Sequence, residues 1–201
     1  MNHLAHFYLA TLDTRIPLAD SLAGAFLGDF VKGRLGDDYP ENIRTGIQLH
    51  RKIDAYTDRH HVVRQAVRRF ASPYRRFAPV IIDLVFDHLL AKDWDTYHPQ
   101  SLMEFSHQVY SQVESRKHHL PEKAETLIQV MKNRQSLLGY ADTRFLDRSL
   151  EYLSVRMKNA DCLANSHSLI VSLLAEIEED FRLFFPDARN AVLDIVNADD
   201  D

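Results

Sequence analysis

The stretch GIQLHRKIDAYTDRHH, residues 46–61, has the periodicity of an amphipathic α-helix with one unusual property. Its apolar residues fall on one broad side of the helix, and its basic residues take the opposite side. His50 lies within the apolar side, Asp54 lies one turn on beside it, and Asp58 follows at its edge. The pattern therefore predicts a helix over about residues 41–59 whose buried face carries an imidazole and carboxylates.

The rest of the chain has the composition of a helical domain. It has 201 residues, of which 45% are apolar, so a sizeable core is feasible and one domain over 1–201 is expected. Only six glycines and seven prolines interrupt it, and long alternating segments are absent. The predicted fold class is therefore all-α, a single-domain helical bundle.

A second stretch, APVIIDLVFDHLLAKDW at residues 78–94, has apolar residues all round and should form the central, buried helix. Other helices are expected around it. A capping-box pattern at Ser101 and Pro121 each predict a helix start. The remaining predicted helices cover about 4–12, 18–34, 62–70, 143–157 and 167–185, the last ended by Pro186.

Charge and cysteine usage exclude several classes of protein. The net charge is -5 and no helix-turn-helix pattern is present, so no nucleic-acid partner is expected. The N-terminal stretch has neither a basic region nor a sustained apolar run, so neither a signal peptide nor a membrane span is predicted. Cys162 is the only cysteine, which excludes a disulfide framework and favours a cytoplasmic location.

Polar residues recur on the inward faces of four predicted helices. A buried carboxylate costs several kcal/mol unless it is paired or bound to a metal. Any one of them alone is more often a satisfied core residue, so the argument depends on their number. They are Asn2 and His6 on the first helix, Asp29 on the second, His50 and Asp54 on the third, and Asp83, Asp87 and His88 on the central one.

Together these side chains offer imidazole and carboxylate ligands without thiolates. That set suits a divalent metal such as Mn²⁺ or Mg²⁺. A bound metal of this kind activates water, and phosphate-ester hydrolysis is the natural reaction class. A non-catalytic helical binding module, in which arginines pair with the inward carboxylates, remains the alternative.

Four motifs resemble the acyl carrier protein phosphodiesterases: MNHLAH from Met1, GAFLGDFVKG from Gly24, GIQLHRKIDAYTD from Gly46 and FDHLLAKDW from Phe86. The resemblance implies an all-α protein, distantly related to the HD-type phosphohydrolases, that requires Mn²⁺ or Mg²⁺. It implies hydrolysis of the phosphodiester joining 4'-phosphopantetheine to a serine of holo-acyl carrier protein. A related metal phosphohydrolase acting on a nucleotide or another small phosphoester is the alternative.

The resemblance also implies roles for particular residues. Asp29 would be an essential site carboxylate, and His6 or an inward carboxylic acid would protonate the leaving serine. The metal would be held by His50, Asp87 and His88 together with Asp29 or Asp54, with Asn2 and His6 lining the site. The chain departs from the family at His3, and its Asp-His order in FDH reverses the doublet for which the HD group is named.

An acidic protein substrate gives the basic residues a possible role. Acyl carrier proteins are strongly acidic along the helix that follows the modified serine. Residues 64–76 hold five arginines and no acid, so this segment, including Arg68 and Arg69 and together with Lys52, is expected to dock the carrier protein. Lys32 or Arg51 would neutralise charge that develops at the phosphate.

Overall fold

The stretch that is apolar all round forms a buried helix, as expected. In the computed structural model, which describes residues 1–198, this helix covers Ala78–Lys92, and 11 of its 15 residues are buried. It packs against the first, fourth, ninth and tenth helices. Asp87, on the side that faces the first helix, therefore lies inside the bundle, whereas the Asp83 side chain is 35% exposed.

Ten α-helices and no strand occur within the described range 1–198, and residues from all ten helices contribute to one hydrophobic core cluster. The predicted all-α fold class is confirmed. The helices are α1 His3–Ala10, α2 Leu18–Leu27, α3 Glu41–Arg59, α4 His61–Arg68, α5 Ala78–Lys92, α6 Leu102–Glu114, α7 Glu122–Asn133, α8 Ser136–Gly139, α9 Thr143–Arg156 and α10 His167–Ala198.

Several local predictions are confirmed because each depends on neighbouring residues alone. The third helix covers the expected 41–59. Ser101 and Glu104 form the expected capping box, in which each side chain accepts a hydrogen bond from the other residue's backbone N–H. Pro121 precedes α7 as predicted.

Two helix ends were predicted wrongly. The second helix stops at Leu27 rather than near residue 34, and a segment of turns over residues 28–40 leads to α3. Pro186 does not end the last helix, which continues to Ala198. An interior proline costs about 3 kcal/mol, but the following turns bury Ala188, Val192 and Val196, and that burial offsets the cost.

Helices α2 and α3 approach each other through two glycines. A Cβ atom on Gly24 would lie 2.6 Å from the Cα of Gly46 and 2.7 Å from the carbonyl oxygen of Ile43. Any side chain at residue 24 would therefore push the helices apart. This close crossing brings the turn after α2, which carries Asp29, up to the inward face of α3.

Among the described residues, no helix combines the length and the apolar character that crossing a membrane requires. The proposed relation to the HD-type phosphohydrolases stays a prediction.

Candidate functional site

His6, His50 and Asp54 form a tight polar cluster where α1 meets α3. The Nε2 atom of His6 lies 3.0 Å from Oδ1 of Asp54, and the Nε2 atom of His50 lies 3.2 Å from Oδ2. The two imidazole rings stack with their centroids 4.0 Å apart. Both histidines are buried, whereas the Asp54 side chain is 49% exposed, so the cluster opens to solvent at its carboxylate.

The environment of the cluster favours the protonation states that bind metals. Burial lowers the pKa of His6 to about 4, so this imidazole is neutral at pH 7. Burial would raise the pKa of Asp54, but hydrogen bonds with His50 and His6 outweigh it and hold that pKa well below its usual range. Neutral imidazole and ionised carboxylate are the forms in which these side chains ligate a metal.

Asp29 lies beside this cluster and extends it toward the first turn of α1. Its Oδ1 atom is 3.9 Å from Nε2 of His50, and its Oδ2 atom is 3.5 Å from Nδ1 of His3. The Asp29 side chain is also half exposed. Two half-exposed carboxylates, Asp29 and Asp54, therefore flank a buried imidazole on the same side of α3.

Gly28 makes this arrangement possible. A Cβ atom on residue 28 would lie 2.2 Å from Cγ and 2.7 Å from Nδ1 of the His50 ring. The ring of His50 therefore lies directly over the backbone that precedes Asp29. The sequence reasoning missed this role, although the glycines at 24, 28 and 46 in the two motifs were a usable signal.

The structure places Asp87 and His88, two of the expected ligands, outside the cluster. Asp87 is fully buried, and its carboxylate accepts hydrogen bonds from the backbone N–H groups at the start of α1. The Nδ1 atom of His88 lies 2.7 Å from the carbonyl oxygen of Tyr140, to which it donates. Neither residue belongs to the group of closely spaced ligand atoms, which within residues 1–198 consists of His6, His50 and Asp54.

Asp83, one turn before Asp87, accepts a hydrogen bond from the amino group of Met1 at 2.7 Å. The Asn2 side chain accepts a bond from the backbone N–H of His3 and thereby caps α1. Burial raises the pKa of Asp87 to about 7, although the charge of the N-terminal amino group and the amides of α1 oppose the shift. These residues fasten α1 to α5.

The basic residues expected to bind substrate divide into two groups. Arg51 donates to the carbonyl oxygens of Gly33 and Val31, at 2.9 and 2.7 Å, so it ties the segment after α2 to α3. Arg69 donates to the buried carboxylate of Asp180 at 2.8 and 3.0 Å. Both arginines are therefore used structurally, whereas Lys32 and Arg68 are exposed.

The cluster fits one divalent cation. Its three ligand atoms lie within 4.8 Å of one another, and the carboxylate is accessible from solvent. Within the described residues, the Nδ1 atoms of His6 and His50 have no hydrogen-bond partner. Without a cation, each proton is therefore best placed on Nε2, where it meets Asp54.

Fold and cluster together define the class: an all-α protein with a half-open histidine–aspartate site. The family model described as acyl carrier protein phosphodiesterase matches residues 1–188 of this chain. The chain belongs to that family.

Curated relatives cover most of the chain. A protein of Photorhabdus laumondii named acyl carrier protein phosphodiesterase is 36% identical over 188 residues, which is 92% of each chain. Proteins with the same name from Yersinia pestis and Escherichia coli O157:H7 are 34% and 33% identical over 92% of this chain and 94% of their own. No solved structure matches the chain significantly.

Proposed function

We propose that this protein hydrolyses the phosphodiester that joins 4'-phosphopantetheine to a serine of holo-acyl carrier protein. The products are apo-acyl carrier protein and 4'-phosphopantetheine. Membership of the family and the names of the relatives support the substrate. The observation that carries the proposal is the half-open cluster in which His6, His50 and Asp54 meet at hydrogen-bonding distance.

We assign His6, His50 and Asp54 to one divalent cation, Mn²⁺ or Mg²⁺, and leave Asp29 beside them for proton transfer. Two imidazoles beside carboxylates favour a transition metal such as Mn²⁺ over Mg²⁺, which prefers oxygen ligands. Such an ion supplies Lewis-acid chemistry, because it polarises a phosphoryl oxygen and promotes attack by water. The ligand set differs from the sequence-based one because Asp87 and His88 have other partners.

Asp29 is the best-placed carboxylate for proton transfer. It is half exposed, and its two oxygens face His50 on one side and His3 on the other. Burial lowers the pKa of His3, so its imidazole is neutral and can exchange a proton with Asp29. Asp29 therefore accepts the proton of the attacking water, and the Asp29–His3 pair returns a proton to the leaving serine oxygen.

The exposed cations suggest how an acidic protein substrate is oriented. Lys32 is exposed on the segment that Arg51 holds, three residues after Asp29, and this position supports a contact with the phosphate. Arg64, Arg68 and Arg75 are exposed on and after α4 and form the proposed docking surface. Since these contacts are exposed, they orient the substrate more than they add affinity, and salt weakens them.

The test is mass spectrometry of purified holo-acyl carrier protein after incubation with this protein and Mn²⁺. We expect loss of the phosphopantetheine mass in Mn²⁺, and its retention with EDTA or with the His50→Ala variant. Retention with the unmodified protein in Mn²⁺ would overturn the proposal. Cleavage of nucleotides instead would identify the alternative, a phosphohydrolase for small phosphoesters.

A further inference from the structure

Asp87 is the acceptor for the start of α1. Its Oδ2 atom accepts from the backbone N–H of Leu4 at 2.7 Å. Its Oδ1 atom accepts from the N–H groups of Asn2 and Ala5, both at 3.2 Å. One carboxylate on α5 therefore accepts three backbone hydrogen bonds from residues 2–5.

The N–H groups at the start of α1 need an acceptor from outside the helix. The first four N–H groups of an α-helix lack partners within the helix, and most helices solve this with a side-chain cap or with water. Here Leu4 and Ala5 are completely buried, so water does not reach their amides. An acceptor from another element is then required, because a buried N–H without a partner is costly.

The same short helix carries His6 to its partners. The backbone N–H of His6 donates to the carbonyl of Asn2, so His6 closes the first turn that Asp87 holds. Its imidazole then meets Asp54 at 3.0 Å and stacks on His50. A shift of the α1 terminus would therefore move His6 relative to two side chains that belong to α3.

We infer that Asp87 is a positioning residue: it holds the start of α1 so that His6 meets His50 and Asp54 in one ligand set. The inference rests on the proposed metal site but not on the identity of the substrate. In this inference Asp87 binds the backbone N–H groups at the start of α1 and does not bind the metal.

The test uses the Asp87→Asn variant of the full chain, which keeps the size of the side chain. The side chain of asparagine keeps one oxygen that accepts, but its NH2 group only donates, so it cannot accept from Leu4 and from the opposite amides at the same time. The matched control is Asp180→Asn, because Asp180 is also buried but accepts from Arg69, the residue that follows α4. Both variants remove one buried carboxylate, and only one of them touches α1.

The first measurement is hydrogen exchange of the metal-free proteins, followed by mass spectrometry of peptides from α1 and α3. In Asp87→Asn we expect the amides of residues 3–6 to exchange at least about tenfold faster. The α3 amides around His50 should keep the exchange rates of the unmodified protein. Asp180→Asn should leave the α1 amides unchanged.

The second measurement is Mn²⁺ affinity by titration calorimetry. We expect Asp87→Asn to weaken Mn²⁺ binding about tenfold, as loss of a residue that orients a ligand commonly does. Asp180→Asn should bind Mn²⁺ as the unmodified protein does. A smaller change in the same direction is expected for Asn2→Ala, which loses the side-chain cap of α1 without touching Asp87.

Each other outcome overturns the inference. Loss of Mn²⁺ binding with unchanged α1 exchange would make Asp87 a direct ligand. Faster α1 exchange with unchanged Mn²⁺ affinity would limit Asp87 to stabilising the helix. If Asp87→Asn does not fold, Asn2→Ala tests the link from the start of α1 to the metal site, and faster α1 exchange with unchanged Mn²⁺ affinity would overturn the inference. Neither measurement uses acyl carrier protein, so failure of the proposed function would appear separately, as absent hydrolysis by the unmodified protein.

Discussion

Asp54 and Asp87 both sit on the inward face of a helix next to α1, yet their surroundings differ in two respects. Asp54 is half exposed and meets two imidazoles, whereas Asp87 is fully buried and meets backbone N–H groups. A cation can be bound by an imidazole and a carboxylate together. Backbone N–H groups do not bind a cation and only donate hydrogen bonds to the carboxylate. The partners and the exposure of an aspartate therefore decide whether it serves the site or holds the scaffold.

The two regions are linked through α1. Asp87 accepts hydrogen bonds from the first turn of that helix, and the side chain of His6, which follows that turn, contacts Asp54. The comparison predicts that changes at Asp54 alter chemistry at little cost in stability, while changes at Asp87 alter stability first.

The largest expected effect is loss of activity in Asp54→Asn. The amide would face two histidine Nε2 atoms with only one acceptor, and the ligand set would lose its anionic member. We expect kcat/KM to fall by about 1000-fold, near the middle of the range for an essential polar group.

Asp58→Asn is the control for Asp54→Asn, because Asp58 is exposed one turn further along the same helix. It should retain the activity of the unmodified protein. Steady-state kinetics on holo-acyl carrier protein measure both variants. Equal losses in the two would mean that net charge on α3, rather than the cluster, matters.

The next effect is on stability in Asp87→Ala. Removing the carboxylate leaves the N–H groups of Leu4 and Ala5 buried without an acceptor, which costs about 3 kcal/mol or about 150-fold in the unfolding constant. Asp54→Ala should cost less than Asp87→Ala, because the Asp54 side chain is half exposed and water that enters its place can accept from the two histidines. Urea unfolding followed by circular dichroism measures both, and equal costs would remove the distinction between the two regions.

A smaller loss is expected for Gly28→Ala. The new Cβ atom would overlap the His50 ring, so the imidazole must move relative to Asp54. A displacement of about 1 Å at a site can cost about 100-fold in rate.

Gly36→Ala is the control for Gly28→Ala, since the nearest atom to a Cβ there, the Asp38 Oδ2, lies at an ordinary 3.4 Å. Its kcat/KM should match that of the unmodified protein. Wild-type activity in Gly28→Ala would show that His50 tolerates displacement.

The smallest effect concerns the docking surface. Arg68 is exposed, so Arg68→Glu should raise KM for acyl carrier protein about threefold at low salt and leave it unchanged at high salt.

Arg69→Ala should instead lower stability, because Asp180 stays buried without its partner. Kinetics at two salt concentrations, with thermal unfolding alongside, separate these roles; an Arg68 effect that persists in high salt would contradict simple charge steering.

Much of the architecture could be predicted from the order of residues. The 3.6-residue apolar period on α3, the helix that is apolar all round and the capping box at Ser101 are local patterns, and the structure confirms each of them. The wrong prediction at Pro186 has a tertiary cause. The helix continues past Pro186 because its last turns pack into the core. A short sequence window around the proline does not contain that information.

The candidate site was predictable only in part. Periodicity and motifs indicated His50 and Asp54 on α3 and Asp29 after α2. These three side chains lie together in the structure. Periodicity places a side chain on a face but does not name its partner. For that reason Asp87 and His88 were grouped with the ligands, and the neighbouring His3 was set aside.

The sequence by itself determined that the chain is all-α, that α3 buries His50, and that polar residues recur on inward faces. These properties follow from the period of one helix and the chemistry of single residues. Only the tertiary structure decided which of those residues meet. Gly24 and Gly46 let two helices cross closely, the ring of His50 lies over Gly28, and the amides of α1 end on Asp87. Such contacts join residues 22 to 83 positions apart, and burial and hydrogen bonding across that separation are properties of the packed bundle.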